Sequence, residues 1–192
     1  MPQSYFETAQ LPLLAAEFDY FRIPREKWEL LLIRLKQMGA NALSLTVPWG
    51  FHEFNQGSVD LAGVTHPRRD LKGLLALGAA LEWPCLLSVG PYSHCGVLNE
   101  GLPLWLSPQA EDFETHLAQS VEGWYKALSK ALAEQQWPGG PVIALSINSA
   151  PTLSEEPVLS KQLTEVKWRI WLRKRYEGIE ALNAAYGTDY RT

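Results

Sequence analysis

The stretch Leu43–Glu53, which reads Leu-Ser-Leu-Thr-Val-Pro-Trp-Gly-Phe-His-Glu, decides the fold. It begins as an apolar β-strand, and Pro48 ends the strand because proline has no N–H to donate to a sheet. Trp49, His52 and Glu53 then follow within five residues. In α/β barrels ligands bind where the strands end and the next loops begin, so this run predicts one wall of a cleft. An aromatic ring beside a carboxylate is typical of a sugar site.

Apolar segments of two kinds alternate along the rest of the chain. Continuous apolar runs predict strands, and apolar residues spaced three and four apart predict amphipathic helices. The predicted strands are 11–18, 41–47, 84–89 and 141–147. The predicted helices are 25–38, 70–81, 111–135, 157–176 and 179–186.

Strands that alternate with helices predict an α/β fold with a parallel sheet. The count is four consecutive β-α units, whereas a closed (β/α)₈ TIM barrel needs eight units and about 250 residues. We therefore expect half of a barrel. At 192 residues the chain has enough material for one core, so we expect residues 1–192 to form a single domain.

Charge and hydropathy exclude several classes of partner. The formal net charge is -4 and the pI is near 5.6, which leaves no basic face for nucleic acid. No stretch reaches the roughly 20 apolar residues that cross a bilayer, so we expect no membrane partner. Residues 1–18 lack a positive segment before their short apolar run, so we expect a cytoplasmic protein.

The two cysteines, Cys85 and Cys95, show no metal-type spacing to another Cys or His. We expect two reduced thiols, no metal and no cofactor. His94 beside Cys95 could suggest a Cys-His nucleophile, but neighbouring side chains point apart in extended chain and no third group orients them. An ordinary loop histidine is the favoured interpretation.

Four blocks together resemble the N-terminal half of glycoside hydrolase family 35, the retaining β-galactosidases, and the tail also resembles family 42. Their order and spacing match from about residue 13 to 190. The blocks are Glu17–Pro24, Val47–Glu53, Gly90–Tyr92 with Gly101–Leu106, and Val142–Asn148.

The resemblance implies a TIM-barrel glycosidase module whose cleft binds a β-galactoside-like sugar. Retaining glycosidases need two carboxyl groups about 5 to 5.5 Å apart. In the family the acid/base is the Glu of an Asn-Glu pair that ends the fourth strand, and here the pair reads Asn148-Ser149. A serine hydroxyl cannot replace a tuned carboxylic acid as proton donor. The family's nucleophile lies in the second half of the barrel, so we expect this chain alone to be catalytically incompetent.

Other positions that contact sugar in the family have also changed. Thr46 and Gly50 stand where a tyrosine and an asparagine are expected, Cys95-Gly96 replaces Ala-Glu, and Asp19 replaces a histidine. The resemblance leaves Asn148 as the clearest retained contact. The candidate substrate-binding residues are Asn148, Trp49, His52, Glu53 and Tyr92.

Alternatives remain open for the carboxylates and the aromatic run. In one interpretation Trp49 stacks on a sugar while His52 and Glu53 bind its hydroxyls. In the other, Trp49 packs over the strand ends while His52 and Glu53 brace loops. A rewired catalytic pair of Glu53 with Glu100 is conceivable, although solvated loop carboxylates are far commoner. Arg22 is expected to anchor the first loop to a carboxylate, either Glu53 or Glu17.

A half barrel would leave its first and fourth strands as open edges, and such edges invite pairing with another chain. Homodimerisation, pairing with a separate second half, and an isolated domain of poor solubility are the three outcomes. Three functions follow: an inactive family 35 relic with weak sugar binding, one half of a split or oligomer-completed glycosidase, or a non-catalytic sugar-binding or scaffold domain.

Overall fold

A computed structural model describes residues 5–8, 12–93, 95–106, 113–147, 158–176 and 178–191. The chain divides into two compact units, Met1–Pro151 and Thr152–Thr192. The first unit holds strands β1 (Ala15–Glu17), β2 (Ala42–Thr46), β3 (Cys85–Ser88) and β4 (Val142–Ser146), and helices α1 (Tyr5–Thr8), α2 (Trp28–Gln37), α3 (Trp49–His52), α4 (Leu71–Ala80) and α5 (Phe113–Leu132). The second unit holds α6 (Val158–Tyr176) and α7 (Ile179–Tyr186).

The four strands form one parallel sheet in the order β1-β2-β3-β4. Sequential order with helical crossovers is the arrangement of a barrel wall. Among the described residues, β1 pairs only with β2 and β4 only with β3, so both are edges, as predicted. A register shift between Cys85 and Leu86 leaves Ile143 out of the pairing with β3.

The first strand is shorter than the predicted 11–18. Pro12 cannot donate to a ladder, and the Asn41 side chain takes over the connection there. Its Oδ1 accepts from the Leu14 backbone N–H at 2.6 Å, and its Nδ2 donates to the Pro12 carbonyl at 3.1 Å. Before Ala15 the Asn41 side chain therefore adds to one backbone bond, from the Asn41 N–H to the Leu14 carbonyl at 3.0 Å.

The predicted helix 25–38 is divided at its start. Pro24 precedes a 3₁₀ turn over Arg25–Lys27, and the α-helix begins only at Trp28. Gly39 follows the helix with a φ of +95°, a conformation that favours glycine.

The two faces of the sheet differ in burial. Leu43, Leu45 and Val47 are fully buried, whereas Ser44 and Thr46 between them are partly exposed. The fully buried tryptophans Trp28, Trp49 and Trp124 belong to the same core as the buried face. We call the face that carries Ser44 and Thr46 the inner face, because it corresponds to the inside of a barrel.

Helix α5 fixes the end of β3. Trp124 donates its indole N–H to the Val89 carbonyl at 2.9 Å, and the Tyr125 hydroxyl donates to the Gly90 carbonyl at 2.6 Å. These bonds satisfy the backbone where the strand ends and its loop begins.

The second unit consists of α6 and α7. In α6 the rings of Trp168 and Trp171 stack with centroids 5.1 Å apart, and both side chains are about half exposed. Gly187, at a φ of +64°, ends α7. The single domain over residues 1–192 stays a prediction. In the described residues we find no helix long and apolar enough to cross a membrane.

Candidate functional site

Trp49 stands at the start of the one-turn helix α3, directly after β2. Its side chain is 0% exposed and lies between two other indoles. The ring meets Trp105 edge-on at 6.0 Å and stacks on Trp124 at 6.1 Å. Trp49 is therefore a core residue beneath the strand ends.

Glu53 is 5% exposed, and both oxygens of its carboxylate accept hydrogen bonds. Trp49 Nε1 donates to one oxygen at 2.5 Å, and the Gly57 backbone N–H donates to the other at 2.7 Å. The Glu53 carbonyl also accepts from Trp105 Nε1 at 3.2 Å. The Glu53 carboxylate therefore ties α3 to the following turn, and the Glu53 backbone carbonyl ties the same segment to the loop after β3.

His52 is fully buried between β1 and the loop after α3. Its Nδ1 lies 2.6 Å from the Asp60 carbonyl, which can only accept, so the ring carries its proton on Nδ1. Nε2 then accepts from the Tyr20 hydroxyl at 2.6 Å. Burial disfavours the imidazolium and lowers the pKa of His52 to about 4. Burial also raises the pKa of Tyr20 well above its usual value, so both groups are neutral near pH 7.

Asp60 organises the loop that follows. Its carboxylate accepts from the backbone N–H groups of Ala62, Val64 and Thr65 and from the Thr65 hydroxyl. Burial raises the pKa of Asp60, but the hydrogen bonds from Thr65, Ala62 and Val64 outweigh burial and lower it to about 2. The Asp60 carboxylate therefore stabilises the loop that follows it.

These contacts bear on the two alternatives for the aromatic run. A stacking platform must present a face to the ligand, and the Trp49 and His52 rings present none. The geometry favours the interpretation in which Trp49 packs under the strand ends and His52 and Glu53 brace loops. Their substrate-binding role stays a prediction.

A cavity of about 430 Å³ lies on the inner face, and residues of all four strands line it. Two rows of side chains cross the sheet in register. One row contains Glu17, Ser44, Leu86 and Ala144, and the next, nearer the carboxyl ends, contains Thr46, Ser88 and Ser146. Among the described residues that line the cavity, Glu17 is the charged one. Hydroxyls beside a carboxylate can bind the hydroxyl groups of a sugar.

The loop after β3 carries Tyr92 and Glu100. Burial, followed by the negative charge of Glu100, raises the pKa of the half-buried Tyr92. The Glu100 side chain is exposed, and its backbone has a left-handed φ of +50°. Its carbonyl accepts from the Ser93 N–H at 2.7 Å. Since the Glu53 carboxylate is buried, the pair Glu53 and Glu100 lacks one of the two carboxylates that must reach the sugar in hydrolysis.

Arg22 does not bind the carboxylates expected for it. Its Nε pairs with Asp19 at 3.2 Å, and its Nη2 donates to the carbonyls of Cys95 and Gly96 at 2.6 and 3.1 Å. The prediction of Glu53 or Glu17 as its partner was wrong. Glu53 is buried away with Trp49, so Arg22 instead ties the end of β1 to the loop after β3.

Three candidates from the sequence, His94, Asn148 and Ser149, lie outside the described residues. Both thiols, Cys85 and Cys95, are free, as predicted. Within the described part of the chain, no cluster of three His, Cys, Asp or Glu side chains could hold a metal ion.

Sequence reasoning missed Tyr20 and Asp60, which fix His52. Asp60 followed by Ala62, Gly63 and Thr65 is a pattern typical of an Asx-type turn, in which the carboxylate accepts from the backbone just ahead. That signal could have identified the loop. No local pattern relates Tyr20 to His52, because Tyr20 follows β1 and His52 follows β2, 32 residues later in the chain.

Known proteins that are similar to this chain include a glucosaminidase and a galactosidase. The family model described as Glycosyl hydrolases family 35 matches residues 5–165. An exo-beta-D-glucosaminidase of Thermococcus kodakarensis is 29% identical over 204 residues, covering 90% of this chain and 26% of that protein. A mouse beta-galactosidase is 32% identical over 143 residues, covering 71% of this chain and 21% of its own length. The chain thus spans about a quarter of the length of the curated relatives it matches.

A solved structure supports the fold independently. The catalytic domain of beta-amylase from Paenibacillus polymyxa aligns with a TM-score of 0.54 at 13% identity, over 94% of this chain and 51% of that one. With the parallel sheet, this likeness confirms the prediction of half of an α/β barrel. The match over residues 5–165 confirms the resemblance drawn from the sequence, and the chain belongs to the glycosyl hydrolases of family 35.

Proposed function

We propose that this chain supplies one half of a family 35 sugar cleft, binds a β-galactoside-like sugar weakly on its inner face, and does not hydrolyse it alone. One observation carries the proposal. Glu53, the carboxylate closest in sequence to the end of β2, is 5% exposed, and its two oxygens accept from Trp49 and Gly57 in its own segment. A catalytic carboxylate must reach the sugar, and a buried one that is bonded within its own segment does not.

The row nearest the carboxyl ends of the strands supports the same conclusion. Thr46, Ser88 and Ser146 are neutral hydroxyls, which bind sugar hydroxyls but do not titrate near neutral pH. By resemblance, the family's acid/base position is Ser149. A cleft wall of this composition recognises a sugar without cleaving it.

Relatives differ in the sugar that their names specify. They include a beta-galactosidase and an exo-beta-D-glucosaminidase. We propose a β-galactoside as the first ligand to test and a β-glucosaminide as the second.

The purified chain is expected to release no 4-nitrophenol from 4-nitrophenyl β-D-galactopyranoside or β-D-glucosaminide above the buffer rate. Ser149→Glu is expected to remain inactive, because one carboxylic acid supplies only half of the retaining machinery. Turnover that disappears in Glu53→Gln but persists in the exposed control Glu134→Gln would contradict the proposal.

Binding is tested separately, by calorimetric titration with galactose and lactose. We expect saturable binding that weakens several-fold in Thr46→Val, which removes one hydroxyl from the inner face at nearly constant volume. The control Ser129→Ala removes an exposed hydroxyl from α5 and should bind as the parent does. No saturable binding would favour the scaffold alternative.

A second candidate is a glycosidase completed by another polypeptide or a second copy. The edge strand β4 favours it, since Leu145 in this strand and Ile147 directly after it are 44% and 66% exposed. Apolar edge strands with free backbone groups pair readily with other strands.

Analytical ultracentrifugation tests this candidate. If the edge is an interface, the chain should associate at micromolar concentration, and Leu145→Lys should shift it towards monomer. Leu98→Lys, at a 79% exposed leucine in the loop after β3 and outside the strands, is the matched control. A parent chain that sediments as a monomer at these concentrations contradicts self-completion.

A further inference from the structure

The cavity on the inner face carries an isolated negative charge. Its volume of about 430 Å³ is within the range of small-ligand sites, about 300–1,000 Å³. Glu17 of β1 lines the cavity, and its side chain is exposed. In the described part of the chain we find no hydrogen bond or ion pair to this carboxylate. The Glu17 carboxylate is therefore accessible and available to a ligand.

The rest of the described lining does not neutralise Glu17. It consists of hydroxyl-bearing and apolar side chains and the thiol of Cys95, and it includes no lysine, arginine or histidine. Burial, followed by the negative charge of Asp19, raises the pKa of the Cys95 thiol, so this group stays protonated. The described wall of the cavity thus presents one anion among neutral groups.

Arg22 is the cation nearest to Glu17 in sequence, and its side chain binds other groups. Its Nε pairs with Asp19 at 3.2 Å, and its Nη2 donates to the carbonyls of Cys95 and Gly96. Because these acceptors satisfy the guanidinium, the charge of Glu17 is left for a ligand to balance.

Glu17 lies beside the row of hydroxyls that is proposed above to bind a sugar. It pairs in register with Ser44 on the next strand, and Thr46 follows two residues later along β2. Adjacent strands are about 4.8 Å apart and each residue rises about 3.3 Å, so the Cα atoms of Glu17 and Thr46 are about 8 Å apart. A pyranose ring that hydrogen-bonds to Thr46 therefore has one edge within reach of the Glu17 carboxylate.

A lone carboxylate in a neutral cavity discriminates between ligands by their charge, since it attracts a cation and repels an anion. We propose that the inner face prefers an amino sugar, which carries an ammonium group, over the neutral sugar of the same configuration. Glu17 sets this preference by pairing with the ammonium group. The inference rests on the sugar binding proposed above and adds to it the charge of the ligand.

Calorimetric titration with three galacto sugars of different charge tests the preference. Just below neutral pH, galactosamine is a cation, galactose is neutral and galacturonic acid is an anion. We expect galactosamine to bind roughly fivefold more tightly than galactose, the effect of a favourable ion pair at an exposed site. Galacturonic acid should bind more weakly than galactose. Added salt should reduce both differences, because it screens exposed charges.

Glu17→Gln removes the charge at nearly constant shape. It should bring the ratio of galactosamine affinity to galactose affinity close to one. The matched control is Glu29→Gln, which removes the same charge from an exposed position on α2 and should keep the ratio of the parent chain.

The outcomes separate this inference from the proposal on which it rests. Galactose binding that weakens in Thr46→Val, with galactosamine binding no more tightly than galactose, would overturn the charge preference alone. A preference for galactosamine that persists in Glu17→Gln would overturn the role of Glu17. If none of the three sugars binds saturably, sugar binding by the inner face is wrong, and this inference is wrong with it.

Discussion

Trp49→Ala should lower the free energy of unfolding by about 3–5 kcal/mol, the usual range for removal of a large buried aromatic side chain. The ring is fully buried between Trp105 and Trp124, so its loss leaves a cavity. The buried Glu53 carboxylate also loses the donor on one oxygen, which adds a desolvation cost. Urea unfolding followed by far-UV circular dichroism measures the change.

Phe54→Ala is the matched control for Trp49→Ala. It removes an aromatic ring from the same segment, but that ring is 60% exposed, so the expected change is within about 0.5 kcal/mol. Trp49→Phe keeps most of the packing and removes only the donor to Glu53, and it should fall between the two. A Trp49→Ala effect no larger than that of Phe54→Ala would show that the Trp49 ring is not part of the core.

Acid should destabilise the protein through His52. The pKa of its ring is near 6.5 when unfolded and about 4 in the fold, so between these values the unfolded state binds more protons. The stabilisation is complete above pH 6.5 and is lost as the pH falls towards 4, by about 3 kcal/mol. Urea unfolding at a series of pH values from 7 to 4 measures the loss.

The His52 effect has its own control. His52→Gln should flatten the pH dependence between 6.5 and 4, whereas Gln56→Ala, which changes an exposed side chain that does not titrate, should leave the slope unchanged. Below pH 4 a further loss is expected from Asp60, whose pKa of about 2 in the fold lies below its ordinary value of 3.8. Equal slopes for the parent and His52→Gln, or a ring that titrates near 6.5 by NMR, would contradict the assignment.

The order and bounds of the elements could be predicted largely from the sequence. The positions of prolines and of apolar residues locate β2, β3 and β4 to within a residue or two. A strand that is covered by helices is apolar along its whole length, so its sequence is one apolar run. Helix 70–81 is observed at Leu71–Ala80, with the Asp70 side chain accepting from the Gly73 N–H as an N-cap.

The role of the aromatic run was harder to predict. In an extended loop Trp49 and Glu53 would be too far apart to touch, but one turn of helix after Pro48 makes residues four apart neighbours. The Trp-Gly-Phe-His-Glu spacing fits that turn. The sequence alone does not distinguish such a turn from an extended loop that projects the same side chains into a cleft.

Arg22 shows a different limit. Its charge predicts a carboxylate partner, but the choice among Glu17, Asp19 and Glu53 depends on which of them is already bonded. Glu53 is committed to Trp49 and Gly57. Only the three-dimensional arrangement reveals that Asp19, three residues away, is the available acid.

The hydroxyls of the inner face constrain anything that closes over it. The inside of a TIM barrel is usually a packed core of branched apolar side chains, yet Ser44, Thr46 and Ser146 face this space. A covering apolar surface would strip water from each hydroxyl at a cost of about 1–3 kcal/mol unless it offered a partner. Any protein surface that closes over these strands should therefore bring amides, hydroxyls or ordered water to them.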